Sequence, residues 1–270
     1  MDHIWQALLL GLALSSLTGL LAYFLQALDG GGVVGAVLVG TALFGFGGIP
    51  AGAVLLLFFV SSSLLSRFQA VRKESFAEKF AKGHQRDLAQ ALGSGAVAAM
   101  AAALYALTKA DWAWAAVVGA LAAANADTWA TELGVLSSRP PRLLTTGRPV
   151  SIGTSGGITK SGSFAALAGA VSIAGLASWL RPESAPTLLL VVGTVGGMAG
   201  AMFDSLLGAS LQGIYWCDTC SKETERHPRH RCGYPTRQLR GWVWLQNDWV
   251  NFFATLFGAL LAGGIFSTLV

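Results

Sequence analysis

Long apolar runs separate three short basic segments, and this alternation constrains the fold more than any other feature of the chain. Sixteen of the eighteen Lys and Arg residues lie in Arg67–Arg86, Arg139–Lys160 and Lys222–Arg240. Loops on the cytoplasmic side of a bilayer carry such an excess of positive charge. Only 12% of the residues are charged and 53% are hydrophobic, whereas a soluble domain has about a quarter charged residues. The pattern therefore predicts a polytopic membrane protein. No basic stretch is long enough to suggest a nucleic-acid partner.

A membrane-spanning helix needs about 20 mostly apolar residues. The apolar runs predict spans at 4–28, 33–47, 51–65, 88–108, 113–130, 163–179, 188–209 and 249–270. The second and third runs meet at a turn signal, Gly48-Ile49-Pro50, and form either two short spans or one re-entrant unit. We favour two spans, which gives an all-α transmembrane bundle of about eight helices in one membrane domain, residues 1–270.

Two spans separate each basic segment from the next, so all three segments are expected on one side of the cell membrane, the cytoplasmic side. Residues 67–86 are predicted to form an amphipathic helix on the membrane surface, with Phe68, Val71, Phe76 and Phe80 on its apolar side. Residues 210–246 are predicted to form a cytoplasmic loop that contains cysteine and histidine residues.

Three polar clusters interrupt the predicted spans. They are Asn125-Ala126-Asp127 with Glu132, then Asp204-Ser205, and finally Asn247-Asp248 with Asn251. An ionisable residue inside a membrane helix is expensive and indicates a functional site. The predicted topology brings all three clusters to the cytoplasmic leaflet, where their oxygen atoms suit a hard cation such as Mg²⁺. Alternatively, Asp248 caps its helix, and the carboxylates of Asp127 and Asp204 form a proton or ion relay.

A glycine- and hydroxyl-rich segment, Ser151-Ile152-Gly153-Thr154-Ser155-Gly156-Gly157-Ile158-Thr159-Lys160, directly precedes the sixth span. Backbone N–H groups at a helix N-terminus favour an anion, and Lys160, Arg142 and Arg148 supply positive charge for a phosphate. The spacing is not that of a Walker A loop. The segment is therefore either a phosphate cradle or a flexible turn before a helix.

All three cysteines lie in the last polar loop, as Cys217-x2-Cys220 and Cys232, together with His227 and His230. Three cysteines and one histidine complete a tetrahedral zinc site, which would hold the loop without taking part in chemistry. The alternative is a loop with unliganded thiols.

Aromatic residues cluster where the last span begins, at Trp242, Trp244, Trp249, Phe252 and Phe253. Such rings anchor a helix at the headgroup level; the alternative is a groove for a lipid substrate.

Four ordered motifs resemble those of the phytyl-phosphate kinase-like integral membrane family, which includes the plant phytyl-phosphate kinase and a similar human multi-span protein. The motifs are Ala126-Asp127-Thr128-Trp129-Ala130-Thr131-Glu132-Leu133-Gly134, Gly153-Thr154-Ser155-Gly156-Gly157, Asp204-Ser205-Leu206-Leu207-Gly208-Ala209 and Asn247-Asp248-x-Val250-Asn251. The resemblance extends from about Arg67 to the C-terminus. Members often have an Asn-Gly pair near the start of the fourth span, where this chain has Gly93-Ser94-Gly95.

The resemblance implies a Mg²⁺-dependent kinase that transfers the γ-phosphoryl group of a nucleoside triphosphate, CTP or another, to an isoprenyl monophosphate. It implies site residues Asp127, Glu132, Asp204, Asn247, Asp248 and Asn251, with the loop Gly153–Gly157. On this basis Asp127, Asp204 and Asp248 are expected to bind Mg²⁺. Asn125, Asn247 and Asn251 are expected to orient the metal or the phosphates, and Thr128, Thr154 and Ser205 to act as further donors.

Two other functions fit the same residues. A nucleotidyltransferase that activates a lipid phosphate with CTP uses similar chemistry, and an ion-coupled transporter also carries buried carboxylates. The sequence leaves open the chain length of the prenyl group, the nucleotide and the oligomeric state, for which a homodimer is one alternative.

Overall fold

The structure is a computed structural model that describes residues 2–70 and 85–270. Its helices are α1 (Asp2–Phe24), α2 (Gly30–Arg67), α3 (Leu88–Thr108), α4 (Asp111–Gly134), α5 (Lys160–Leu180), α6 (Pro186–Ser210) and α7 (Asn247–Leu269). Its strands are β1 (Arg142–Leu143), β2 (Gly157–Ile158), β3 (Ile214–Cys217), β4 (Lys222–Thr224) and β5 (Arg237–Arg240). The helices pack as one bundle, which confirms the predicted all-α membrane fold. The predicted surface helix at 67–86 lies largely outside the described residues.

Within the described part of the chain, six helices are long and apolar enough to cross a bilayer. The remaining helix, α4, has a lower mean hydropathy because it contains Asn125 and Asp127 together with many alanines. The first helix ends at Phe24 rather than at the predicted Leu28, because the chain turns at Gln26 (φ 57°) and Leu28 pairs with Arg86.

The long helix α2 is a hairpin of two helical halves. Gly48 has non-helical angles (φ 69°, ψ −168°) and Pro50 follows it, so the helical hydrogen bonds break there. The guanidinium of Arg67, at the end of the second half, donates to the carbonyl of Leu25, just before the first half begins. Side chains from both halves also line one cavity, among them Val39 and Leu55. The two halves therefore run antiparallel, as two short crossings would.

Helix α4 is the centre of the bundle. It packs against α2, α3, α5, α6 and α7, and every residue from Ala113 to Ala126 is buried. Small residues allow this crowding, since they let helix backbones approach closely in lipid. A Cβ atom added at Gly258 of α7 would lie 2.8 Å from the carbonyl oxygen of Gly119 on α4 and 2.9 Å from that of Gly196 on α6. Helices α4, α6 and α7 are thereby held at fixed positions.

One end of the bundle carries the larger loops. Strands β1 and β2 pair antiparallel across the loop between α4 and α5. The loop between α6 and α7 folds into a three-stranded antiparallel sheet in the order β4-β3-β5. Helices α4 and α6 end beneath these loops, and α5 and α7 begin there.

A candidate phosphate site at the loop end of the bundle

A cavity of about 370 Å³ opens at the loop end of the bundle. Its volume falls in the range of small-ligand sites in proteins. Helices α2 to α7 all contribute to its wall. Residues of the segment 151–160, which we call the glycine segment, and of the last loop complete the wall. We call it the polar cavity.

Five carboxylates line the polar cavity, four from three different helices and the fifth, Glu225, from the last loop. Asp127 and Glu132 lie in the last turns of α4, Asp204 lies near the end of α6, and Asp248 lies in the first turn of α7. Asn247 and Asn251 of α7 and the hydroxyl residues Thr128 and Ser205 line the same space. The structure thus brings together residues from all three polar clusters that the sequence distributes over the chain.

Helix α7 reaches this site by close backbone contact with α3. A Cβ atom at Gly93 would lie 2.7 Å from the carbonyl oxygen of Asp248, so a larger residue there would push α7 away. The following residue, Ser94, lines the polar cavity. The Gly93-Ser94 pair therefore combines a close helix contact with a polar group at the site.

The carboxylate of Asp204 has an oxygen atom available for a ligand. Its Oδ2 atom is buried and has no hydrogen-bond partner among the described residues. A buried polar atom without a partner is costly, and a carboxylate that faces other carboxylates is especially so. A cation at this point would remove both penalties. The donor set of carboxylate and amide oxygens fits Mg²⁺, which usually takes one or two carboxylates plus phosphate oxygens and water.

The glycine segment forms another wall of the polar cavity. Gly153 and Gly156 have positive φ angles of 80° and 79°, which residues with side chains rarely adopt. Gly156 also lies against the end of α6, because a Cβ atom there would be 2.3 Å from the backbone nitrogen of Ala209. The segment leads into the N-terminus of α5, where the hydroxyl of Thr159 accepts a hydrogen bond from the Gly162 N–H at 3.0 Å.

The last loop holds the glycine segment in place. Arg240 of β5 donates to the carbonyl oxygens of Gly208 (2.8 Å) and Ser155 (3.4 Å). The Ser155 hydroxyl donates to Gln212, and the Gln212 amide donates to Glu225 at 2.9 Å. This chain of hydrogen bonds connects the glycine segment to the sheet of the last loop.

The sequence did not predict several residues of the cavity lining, of which Arg86 is the most important. Others are Ser66, Gln90, Gln212 and Glu225. Arg86 fell within the predicted surface helix, but its backbone pairs with the α1–α2 turn through Ala27 and Asp29. The sequence signal next to Arg86 is Asp87, which caps α3 together with Gln90 and so marks where that helix begins.

Arg86 faces the carboxylates of the site. Its guanidinium lies 4.9 Å from the ring centre of Phe58, in cation–π geometry. Burial lowers the pKa of the Arg86 guanidinium from its ordinary value, and the carboxylates of Glu132 and Asp127 act in the opposite direction. Arg86 is thus a half-buried cation beside the acidic residues, in a suitable position to contact a phosphate.

The structure does not bring Asn125 to the polar cavity. Its side-chain oxygen accepts from the Ser61 hydroxyl (3.2 Å), and its NH₂ group donates to the Gly169 carbonyl (2.9 Å) and the Ser172 hydroxyl (3.2 Å). Asn125 is fully buried and connects α2, α4 and α5. These partners do not match the expectation that Asn125 orients the metal or a phosphate.

The three basic residues predicted for phosphate also lie away from the cavity lining. Arg142 donates to the carbonyl of Gly147 at 2.8 Å and is exposed, and Arg148 and Lys160 are exposed as well. Among the described residues of the cavity lining, Arg86 supplies the positive charge instead.

A second, smaller cavity of about 60 Å³ adjoins the first. We call it the apolar cavity. Arg86 and Ser94 line both cavities. The remaining lining is almost entirely apolar and comes from α1, α2, α3 and the α1–α2 turn: Thr18, Gly19, Leu28, Ala36, Val39, Leu55, Leu56, Phe58, Phe59, Ala91 and Gly95.

The aromatic cluster before α7 lies on the surface. Trp242 and Trp244 stack at 5.6 Å, and Trp249 stacks on Phe253 at 6.2 Å. The three tryptophans are each about half exposed, and none of the five aromatic residues lines either cavity. This arrangement fits the anchor interpretation better than a substrate groove.

Comparison with known proteins identifies the family. The family described as integral membrane protein DUF92 matches residues 13–259. The chain belongs to this family. The DUF92 match begins within α1, so it also covers the first helices, whereas the four motifs carried the resemblance only from about Arg67. It confirms the family resemblance drawn from those motifs.

Several proteins resemble this DUF92 member over most of its length. Protein PGR of Arabidopsis thaliana is 32% identical over 94% of each chain. An uncharacterized membrane protein of Methanocaldococcus jannaschii is 32% identical over 90% of this chain and 88% of its own. Another from Synechocystis sp. is 26% identical over 80% and 73%. No solved structure matches the chain at a significant level.

Proposed function

We propose that this protein is a membrane-embedded prenyl-phosphate kinase. It transfers the γ-phosphoryl group of a nucleoside triphosphate to an isoprenyl monophosphate and forms the isoprenyl diphosphate. The observation that carries the proposal is the junction of two cavities at Arg86. One cavity is rich in carboxylates and bounded by a glycine segment, and the other is apolar. Such a junction suits a substrate with a phosphate head and a hydrocarbon chain.

The acidic residues suit a nucleotide–Mg²⁺ complex. Asp127, Asp204 and Asp248 are the proposed metal ligands, and Asn247 and Asn251 orient the metal or its phosphates. The buried Oδ2 atom of Asp204, which lacks a partner among the described residues, supports this assignment. Mg²⁺ held by these residues would supply positive charge that neutralises the phosphates in the transition state.

The glycine segment and Arg86 would bind the phosphate groups. Backbone N–H groups of residues 153–157 and the N-terminus of α5 favour an anion. Arg86, which directly precedes α3, lines the same cavity. Its guanidinium can hold two phosphate oxygens in fixed geometry. Together they would align acceptor and donor, which is the main requirement of phosphoryl transfer.

The acceptor needs no general base. The second pKa of a phosphate monoester is about 6, so its oxygen is already ionised at neutral pH. This oxygen forms a bond to the γ-phosphorus while the bond from that phosphorus to the β–γ bridging oxygen breaks. The nucleoside diphosphate leaves with the electron pair. No proton is transferred to or from a side chain in this step.

The apolar cavity would receive the part of the isoprenoid chain nearest the phosphate. Its volume is about 60 Å³, so the rest of a long chain would extend between helices into lipid. A carrier with a midplane site is less compatible with a polar cavity at one end of the bundle.

The experiment uses the purified full-length protein with geranylgeranyl or phytyl monophosphate, Mg²⁺ and each nucleoside triphosphate in turn. Mass spectrometry should detect the isoprenyl diphosphate and a nucleoside diphosphate. Asp204→Asn should lower turnover about 100-fold or more, since a group that stabilises the transition state contributes on that scale. The matched control is Asp29→Asn, because Asp29 caps α2, lies outside both cavity linings, and asparagine caps equally well.

Two results would reject the kinase proposal. One is a nucleotidyl-lipid with released pyrophosphate, which would indicate the nucleotidyltransferase instead. The other is no lipid diphosphate with any nucleotide from protein that is monodisperse and binds nucleotide.

A further inference from the structure

Four metal-binding side chains meet in the last loop, outside the polar cavity. They are Cys217, Cys220, His230 and Cys232, whose ligand atoms all lie within 4.8 Å of one another. The Sγ atoms of Cys217 and Cys232 are 3.6 Å apart, and the His230 Nδ1 atom is 3.2 Å from the Cys232 Sγ. A tetrahedral zinc site with Zn–S bonds of about 2.3 Å has edges of about 3.8 Å. The spacing fits four ligands around one ion, and it is too long for a disulfide.

Two turns of the small sheet bring these ligands together. Cys217 ends β3, and Cys220 lies in the turn that leads to β4. His230 and Cys232 lie in a second turn before β5, where the His230 N–H donates to the Tyr234 carbonyl and the Gly233 N–H donates to the His230 carbonyl, each at 2.9 Å.

The structure also distinguishes the two histidines of the loop. His230 is 4% exposed and faces the thiols. His227 is exposed and stacks on the ring of Tyr215 at 4.4 Å, so it is not the fourth ligand.

The sheet is small: its strands contain four, three and four residues. A bound metal is one common source of stability for so small a structure. The sheet positions two groups at the phosphate site. Glu225 follows β4 and lines the polar cavity, and Arg240 of β5 holds the glycine segment through Ser155 and Gly208.

We propose that Cys217, Cys220, His230 and Cys232 bind one structural Zn²⁺ ion. The ion would hold the sheet that positions Glu225 in the lining of the polar cavity and Arg240 against the glycine segment. The ion would have four protein ligands and no open position, so it would serve the fold and not the reaction.

Metal analysis of the purified full-length protein tests the site. Inductively coupled plasma mass spectrometry should give about one zinc per wild-type chain, and Cys217→Ser should reduce this ratio strongly. His227→Ala is the matched control and should keep about one zinc. Less than about one zinc per ten folded wild-type chains, or equal zinc loss in the His227 variant, would overturn the proposal.

Cobalt substitution tests the ligand set without any variant, in case Cys217→Ser fails to fold. Wild-type protein loaded with Co²⁺ should absorb in the visible region with the bands of a tetrahedral site and in the near ultraviolet from thiolate charge transfer. A spectrum of octahedral Co²⁺ without thiolate bands would overturn the proposed ligand set.

Hydrogen exchange tests the link to the polar cavity. Removal of zinc by a chelator should increase amide exchange in residues 214–240 and in the glycine segment, while α4 stays protected. Unchanged exchange in both segments after complete zinc removal would exclude a structural role for the ion.

Discussion

Arg86 lies where the polar and apolar cavities meet. It interacts electrostatically with Glu132 and Asp127 on one side and contacts the Phe58 ring on the other. A substrate with a charged head and an apolar chain changes character at one point, and Arg86 is the cation at the corresponding point of the protein. It is therefore the best candidate among the described residues for recognising the phosphate of the acceptor.

Replacement of this cation tests its role at the residue scale. Arg86→Gln should raise the KM for the isoprenyl phosphate and lower kcat/KM about 10- to 100-fold, because a hydrogen bond to a charged group contributes about 1.5–3 kcal/mol. Arg148→Gln is the control, since Arg148 is exposed and outside the cavity lining. Equal kcat/KM values for Arg86→Gln and wild type, or a larger loss in Arg148→Gln, would contradict the assignment.

Asn125 and Asp127 illustrate what a sequence can and cannot reveal about a site residue. Both are polar positions in one apolar run, and both were expected at the metal. Residues two apart on a helix point about 200° apart. Asp127 consequently faces the polar cavity, while Asn125 faces Ser61, Gly169 and Ser172. The sequence alone does not say which of the two directions the cavity occupies.

The glycine segment is the element whose backbone has the most specific requirements. Gly156 combines a positive φ angle with close contact to Ala209 at the end of α6. The segment, the α5 N-terminus and α6 therefore form one rigid wall of the site. The Gly208-Ala209 part of the α6 motif fits this packing, because a Cβ atom at Gly208 would lie 2.6 Å from the Ser155 hydroxyl.

A pair of glycine substitutions tests this wall at the element scale. Gly147 has a similar φ angle of 67°, but a Cβ atom there would meet nothing within 4 Å. Gly147→Ala and Gly156→Ala should carry a similar backbone penalty of about 1–2 kcal/mol. Only Gly156→Ala should also displace the segment and weaken nucleotide binding, by about tenfold or more.

Nucleotide affinity measured by titration calorimetry, with melting temperature as a stability check, separates these effects. Equal affinities of the two glycine variants for nucleotide would mean that the segment does not bind phosphate.

The helices were predictable because each follows from an apolar run bounded by charged or turn residues. The connections were not. Arg86 and Glu225 come from loops whose positions depend on tertiary contacts, with the α1–α2 turn in one case and with Gln212 in the other. Similarly, hydropathy left the arrangement of residues 30–67 open, and the contacts between the two halves show that they form a hairpin.

At the scale of the whole molecule, the direction of each helix determines where its polar cluster lies. Helices α4 and α6 run toward the loop end and carry their carboxylates late, whereas α7 starts at that end and carries its carboxylate early. Alternation of direction along the chain was therefore sufficient to predict that Asp127, Asp204 and Asp248 converge. Close packing around α4 then fixes the separation of the helices that carry them.

Binding of Mn²⁺, a paramagnetic substitute for Mg²⁺, tests most directly whether these three helices share one metal. Electron paramagnetic resonance titration of the purified protein with a non-hydrolysable nucleoside triphosphate should detect one nucleotide-dependent Mn²⁺ site. Asp127→Asn, Asp204→Asn and Asp248→Asn should each weaken it by about tenfold or more, since even groups that only support metal ligands contribute 10–100-fold. Asp29→Asn should bind as wild type does. Wild-type Mn²⁺ affinity in all three variants would contradict a shared metal centre.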